Sequence, residues 1–216
     1  MTSGFPDFEA FWSLFRERAM TLARATSANS AVYDELLEKL QEIDPGLSIE
    51  FSAGRPDCEL IISADGNQKL FPAARAAVAQ APRIDGWTVH ALKPQLGMPR
   101  TVSWEGFSVV IDELFFETIQ FADSTLGVRI FVPNLQAANV PAAHHALVRA
   151  LDHALGEERF ALTVVGIEVL PMPADFDPKP RIPLRDLERF MDWRDRRGGG
   201  DARVAGCFRP GAALCH

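Results

Sequence analysis

Three stretches of the chain carry residue types that could do chemistry. The run Ser63, Ala64, Asp65, Gly66, Asn67 reads as the end of a strand and the start of a helix. Free backbone amides there could hold an anion, and Asp65 could act as an acid or base. The same residue types also cap helices and form left-handed turns, so Asp65 or Asn67 as a cap with Gly66 in the turn is the competing structural reading. No second glycine pattern of the phosphate-loop kind follows.

His144, His145 and His153, with Asp152, are the clustered imidazoles. Two histidines and a carboxylate could hold zinc or move a proton. Their spacing opposes a shared metal: His145 and His153 are eight residues apart, about 12 Å along a helix, and His144 and His145 point about 100° apart around it. The expectation is therefore no metal and no cofactor, with Asp65, His145 and Asp152 as the candidates for any catalysis. Asp152 and Glu157 fall near a helix end where carboxylates oppose the helix dipole, which calls for a cation such as Arg149, Arg159 or Arg129. No serine stands in a GxSxG elbow, and no cysteine has an activating partner nearby in sequence. Trp12, Trp87, Trp104 and the phenylalanines could line a ligand pocket, and ligand storage or sensing would need a cavity beside Trp87 or Trp104. Their helical and strand spacing otherwise fits core positions, with Trp104, between Ser103 and Glu105 in a turn-rich segment, expected at a binding surface together with Asp65 and Asn67.

Periodicity supplies the elements that must position these residues. Phe5, Phe8, Phe11, Trp12, Phe15, Ala19 and Leu22 recur at helical steps, and Val32, Leu36, Leu37, Leu40 and Ile43 repeat the pattern before Pro45 and Gly46. A two-residue period begins at Leu47, Ile49 and Phe51. A turn at Gly54 to Asp57, a strand from Glu59 to Ala64, an alanine-rich helix to about Ala81 and a strand from Trp87 to Leu92 follow. The segment from Pro94 to Gly106 reads as a connection or as a short strand around Val102 to Trp104. Phe115 to Phe121 and Val128 to Val132 then flank a turn at Asp123 to Gly127, before a helix from about Pro141 to Leu155 and a long strand from Phe160 to Leu170. A proline-rich stretch leads to a last helix from about Leu184 to Arg194.

This order predicts an α+β fold: a mixed, largely antiparallel sheet from two ββαβ units with helices packed on it, preceded by two N-terminal helices. It is read as a single domain over 1–195 with a flexible tail over 196–216. Ile49, Glu50, Phe51 match Ile119, Gln120, Phe121 at an offset of 70, and Pro72, Ala73, Ala74 match Pro141, Ala142, Ala143 at 69, which raises an internal duplication of 47–93 and 115–170.

Composition narrows the function classes. The chain has 216 residues, 47% hydrophobic and 24% charged, the balance of a globular protein. No apolar run reaches the roughly 18 residues of a spanning helix, and Asp7, Glu9, Arg16 and Arg18 break the pattern of a signal peptide. Cys58, Cys207 and Cys215 form no CxxC pair, and their odd number suits a reducing cytoplasm. The formal charge is −7; from Lys179 onward nine basic residues face five acidic, which leaves −11 on residues 1–178. Such a body opposes phosphate backbones. The expected partner is another protein, with no nucleic acid and no membrane, and homo-oligomerisation left open.

The aromatic run Phe11 to Phe15, Glu59 to Asn67 (ELIISADGN), Ala81 to Trp87 (APRIDGW) and Leu151 to Glu157 (LDHALGE) resemble a family of uncharacterised bacterial proteins over roughly residues 8–172. That resemblance implies a cytoplasmic bacterial protein of mixed fold and transfers no catalytic residue. The expectation is a non-catalytic protein-binding or regulatory protein; the alternative is a small-molecule, hydrolase-like enzyme with a site near Asp65 and Asp152.

Overall fold

A computed structural model describes residues 6–24, 30–52, 58–121, 125–179 and 181–197. Phe5, the turn expected at Gly54 to Asp57, part of the one at Asp123 to Gly127, and the tail beyond Arg197 lie outside the described residues. The chain is α+β and divides into two compact units, residues 1–94 and 95–216. The boundary falls between the two ββαβ runs.

In the first unit, helices α1 (Glu9–Arg24) and α2 (Ser30–Gln41) precede strands β1 (Ser48–Ser52) and β2 (Cys58–Ser63), helix α3 (Phe71–Ala79) and strand β3 (Trp87–Ala91). The sheet order is β1-β2-β3, antiparallel between β1 and β2 and parallel between β2 and β3. The apolar stripe of α1 buries Phe11, Trp12, Phe15, Ala19 and Leu22, as its spacing requires. Trp12 Nε1 donates to the Ala77 carbonyl at 2.9 Å, and the Phe8 N–H donates to Gln80 Oε1 at 3.0 Å, so α1 is tied to the end of α3.

The second unit opens with the hairpin β4 (Thr101–Trp104) and β5 (Phe107–Val110). Its two-residue turn places Glu105 at φ 46° and Gly106 at φ 84°, the left-handed pair that a tight hairpin demands. The turn-rich segment thus carries the short strand, and a second strand, absent from the sequence-based expectation, follows directly after it. Strands β6 (Phe115–Gln120) and β7 (Leu126–Val132), helices α4 (Val140–Leu155) and α5 (Glu157–Thr163), strands β8 (Val164–Pro171) and β9 (Ile182–Pro183) and helix α6 (Leu187–Arg196) follow. The sheet order is β8-β7-β6-β9, with β7 and β8 parallel and the other pairs antiparallel.

One expected element is corrected. Residues from Phe160 to Thr163 are helical, and the long strand begins only at Val164. Gly156, at φ 75°, ends α4, and Glu157 and Glu158 then complement the amino-terminal dipole of a new helix whose Phe160 N–H returns to the Gly156 carbonyl at 3.0 Å.

Both units run hairpin, short 3-10 turn, helix, parallel strand. The 3-10 turns Gln68–Leu70 and Ala137–Asn139 keep the offset of 69, as do the left-handed residues Asp65 (φ 47°) and Asn134 (φ 54°) and the helix starts Phe71 and Val140. Pro72 and Pro141 stand in the first turn of each helix, where a missing N–H is harmless. The match of Ile49 with Ile119 is out of register. Ile49 is buried and pairs Ile62, whereas Ile119 is 42% exposed and pairs Gly127; Phe116 with Ile130 is a buried pair of the second hairpin.

Candidate binding surface

The open side of the second unit's larger sheet is built by alternation. Leu114, Phe116, Val128, Ile130 and Val132 are buried in the core with Leu147 and Leu151 of α4, so the residues between them face the other way. Pairing sorts that other face into three rows. Phe115, Phe131 and Leu170 form the first. Phe176 covers it, with ring centroids 5.3 Å from both phenylalanines, and the Arg181 guanidinium lies 4.7 Å from the Phe131 ring centre. This is cation–π packing on an aromatic layer.

Glu117, Arg129 and Glu168 form the second row, one from each of three adjacent strands. Arg129 Nη1 reaches Glu117 Oε1 at 2.7 Å and Nε reaches Glu168 Oε2 at 2.6 Å. The hydrogen bond with Glu117, then that with Glu168, raises the guanidinium pKa above its ordinary value. Arg129 therefore neutralises neighbours in its own sheet.

Ile119, Gly127 and Gly166 form the third row. A Cβ on Gly127 would stand 3.6 Å from the Phe121 ring and 3.7 Å from Ile119, which places both side chains beside Gly127. A Cβ on Gly166 would meet nothing within 4 Å. Ile119 is 42% and Phe121 46% exposed. The register shift between Leu126 and Gly127 leaves Val165 in excess as a bulge, 56% exposed, and Leu162 at the end of α5 is exposed as well. The result is an apolar patch with a floor almost free of side chains.

The residues singled out from sequence are placed as follows. Asn67 caps the 3-10 turn by accepting from the Lys69 N–H at 3.2 Å, and Gly66 takes φ 77°. Asp65 itself is left-handed; its N–H donates to Ser63 Oγ at 3.0 Å and its carboxylate lies 3.4 Å from Lys93 Nζ, which also reaches Glu50 at 3.3 Å. Trp104 is half-buried against the core, its ring centroid 6.0 Å from that of His145 and 5.2 Å from the Arg149 guanidinium carbon. His153 Nδ1 lies 2.7 Å from the Gly97 carbonyl, and the Asp152 carbonyl accepts the Gly156 N–H at 2.8 Å in the turn closing α4. Of the cations considered for Asp152 and Glu157, Arg159 bridges Asp192 and Asp195 at 2.8 and 2.7 Å, Arg149 lies over Trp104, and Arg129 serves its own row. Asp65 belongs to the first unit; His145 and Asp152 share α4 in the second, seven residues or about 10 Å apart along its axis.

Sequence reasoning did not find Ile119, Phe121, Gly127 and Gly166 as a patch. Two glycines at paired positions of strands were the available signal. Among the described residues, no three His, Cys, Asp or Glu side chains are grouped to hold a metal, and no helix is long and apolar enough to cross a membrane. Compared with protein-family models, curated proteins and solved structures, the chain matches none.

Proposed function

We propose that this chain is a non-catalytic binding protein of the bacterial cytoplasm that engages another protein through the glycine-floored end of its four-stranded sheet. The observation that carries the proposal is the exposure of Ile119 and Phe121 beside Gly127 and Gly166. Apolar side chains gathered at one exposed site mark interaction surfaces. The space above Gly166 admits a partner's apolar side chain, and the −11 charge of residues 1–178 favours a partner with basic residues around that side chain.

Gly166→Val is the test. Valine suits a strand and the added Cβ has open space, so thermal stability stays equal or rises by a few tenths of a kcal/mol. The tagged chain at native expression should retain one near-stoichiometric protein partner, weakened by high salt, and Gly166→Val should release it. A partner held equally by the variant refutes the assignment of the surface. Nothing retained at either low or high salt refutes the binding reading itself.

A further inference from the structure

The first unit contains a cavity of about 740 Å³ between α1 and the start of β3. That volume falls within the range of about 300 to 1,000 Å³ typical of small-molecule sites. It lies beside Cys58 and Trp87, the opening residues of β2 and β3, roughly 17 Å along β2 from the Ser63 end where Asp65 sits. We propose that it binds a small amphipathic anion, an apolar body bearing one carboxylate.

The walls argue for the apolar body. Ala19 and Ala23, a turn apart on α1, leave room where larger residues would fill it, and Ile84, Trp87 and the Cys58 thiol complete the lining. Trp87 is held edge-on by Phe15, ring centroids 5.0 Å apart, so its orientation is set before any ligand arrives. Met20 lines the same cavity and is 63% exposed, an apolar surface that a bound molecule would cover.

The charged groups argue for the anion. Arg16 and Arg24 line the cavity two helical turns apart, about 12 Å along the axis, and neither forms an ion pair among the described residues. Asp85 is the third charged lining residue, and its carboxylate lies 4.0 Å from Arg83. With two arginines and one aspartate, the lining carries +1 within a body of −11. Guanidinium groups without an internal partner are fitted to take a carboxylate in the fork geometry.

Decanoate is the probe, with decanol and decyltrimethylammonium as head-group controls, all below micelle formation and with the full chain. Decanoate should raise the melting temperature and slow alkylation of Cys58 by iodoacetamide, read on the Cys58 peptide by mass spectrometry. Decanol should act about tenfold more weakly and the ammonium not at all. Ala23→Trp fills the cavity and should abolish both effects. Arg16→Gln with Arg24→Gln, at exposed sites that leave the core intact, should lower decanoate affinity about tenfold and erase its advantage over decanol. Equal effects of the three probes on the unaltered chain would overturn the anion assignment, as would undiminished decanoate binding in the arginine variant. Unchanged protection of Cys58 in a folded Ala23→Trp chain would overturn the site.

Discussion

The rows Glu50, Ile61, His90 in the first unit and Glu117, Arg129, Glu168 in the second each cross three strands paired alike, antiparallel and then parallel. On the helix-covered sides the two sheets agree: Ile49 with Ile62 and Phe116 with Ile130 are apolar, buried pairs. On the open sides they differ. Arg129 bridges two carboxylates in the second unit, whereas the first has Ile61 at the centre, Glu50 turned to Lys93 at 3.3 Å, and His90 Nε2 3.6 Å from Glu59. The side that packs on a helix must stay apolar to exclude water, while the open side is constrained only by its own neighbours. Topology is therefore written on one face of each sheet, and what distinguishes the units is written on the other.

The largest expected effect tests whether each unit has its own core. Phe116→Ala should cost about 3–5 kcal/mol and Ile49→Ala about 2–5 kcal/mol, because both side chains are fully buried. Hydrogen exchange followed by mass spectrometry should show deprotection concentrated in the unit that carries each change. Equal deprotection of both units would break the comparison at its root.

A smaller effect is expected from Arg129→Ile, which gives the second row the centre of the first. It leaves Glu117 and Glu168 without their shared cation, at a cost of about 1 kcal/mol given their partial exposure. Urea titration should show this loss shrinking in high salt. A salt-independent loss would mean that Arg129 acts through packing of its stem and not through charge.

The smallest concerns Tyr33, on a helix that the first unit places before its hairpin, and the chain's single tyrosine. Its hydroxyl donates to the Ile49 carbonyl at 3.2 Å; burial first, then the charges of Glu50 and Asp65, raise its pKa. With the folded pKa above the unfolded value of about 10, this contribution is complete below pH 10 and is lost as pH rises through the folded pKa. Phenolate absorbance should appear at higher pH in the folded chain than in urea. Tyr33→Phe should remove that dependence and cost at most about 1 kcal/mol. Coincident titration in urea and buffer would contradict the burial.

Much of the architecture was legible because it depends on local pattern. The α1 stripe, the two-residue period at Leu47 to Phe51 and the proline opening each crossover helix report burial directly. The strand expected from Phe160 failed because an apolar run of that length has no single period, and the helix there depends on Gly156 and two following glutamates. The Ile49 and Ile119 match misled for a different reason: the two residues lie on opposite faces of their strands, one buried and one exposed, and only the pairing across the hairpin shows which face a residue takes. The ionic row was invisible because Glu117, Arg129 and Glu168 lie far apart in sequence and meet only when three strands align. Trp104 was read from its turn-forming neighbours, yet β4 packs on α4 and brings its ring beside Arg149 and His145.

The outermost strand of the larger sheet is two residues long, Ile182 and Pro183, paired to Phe116 and Phe115. Exposed sheet edges are templates on which a foreign backbone can add, the first step toward fibrils. Here the template ends almost where it begins, and Pro183 has no N–H to offer. Even in a crowded solution, an incoming strand finds the backbone of Phe115 and Phe116 already taken on that flank.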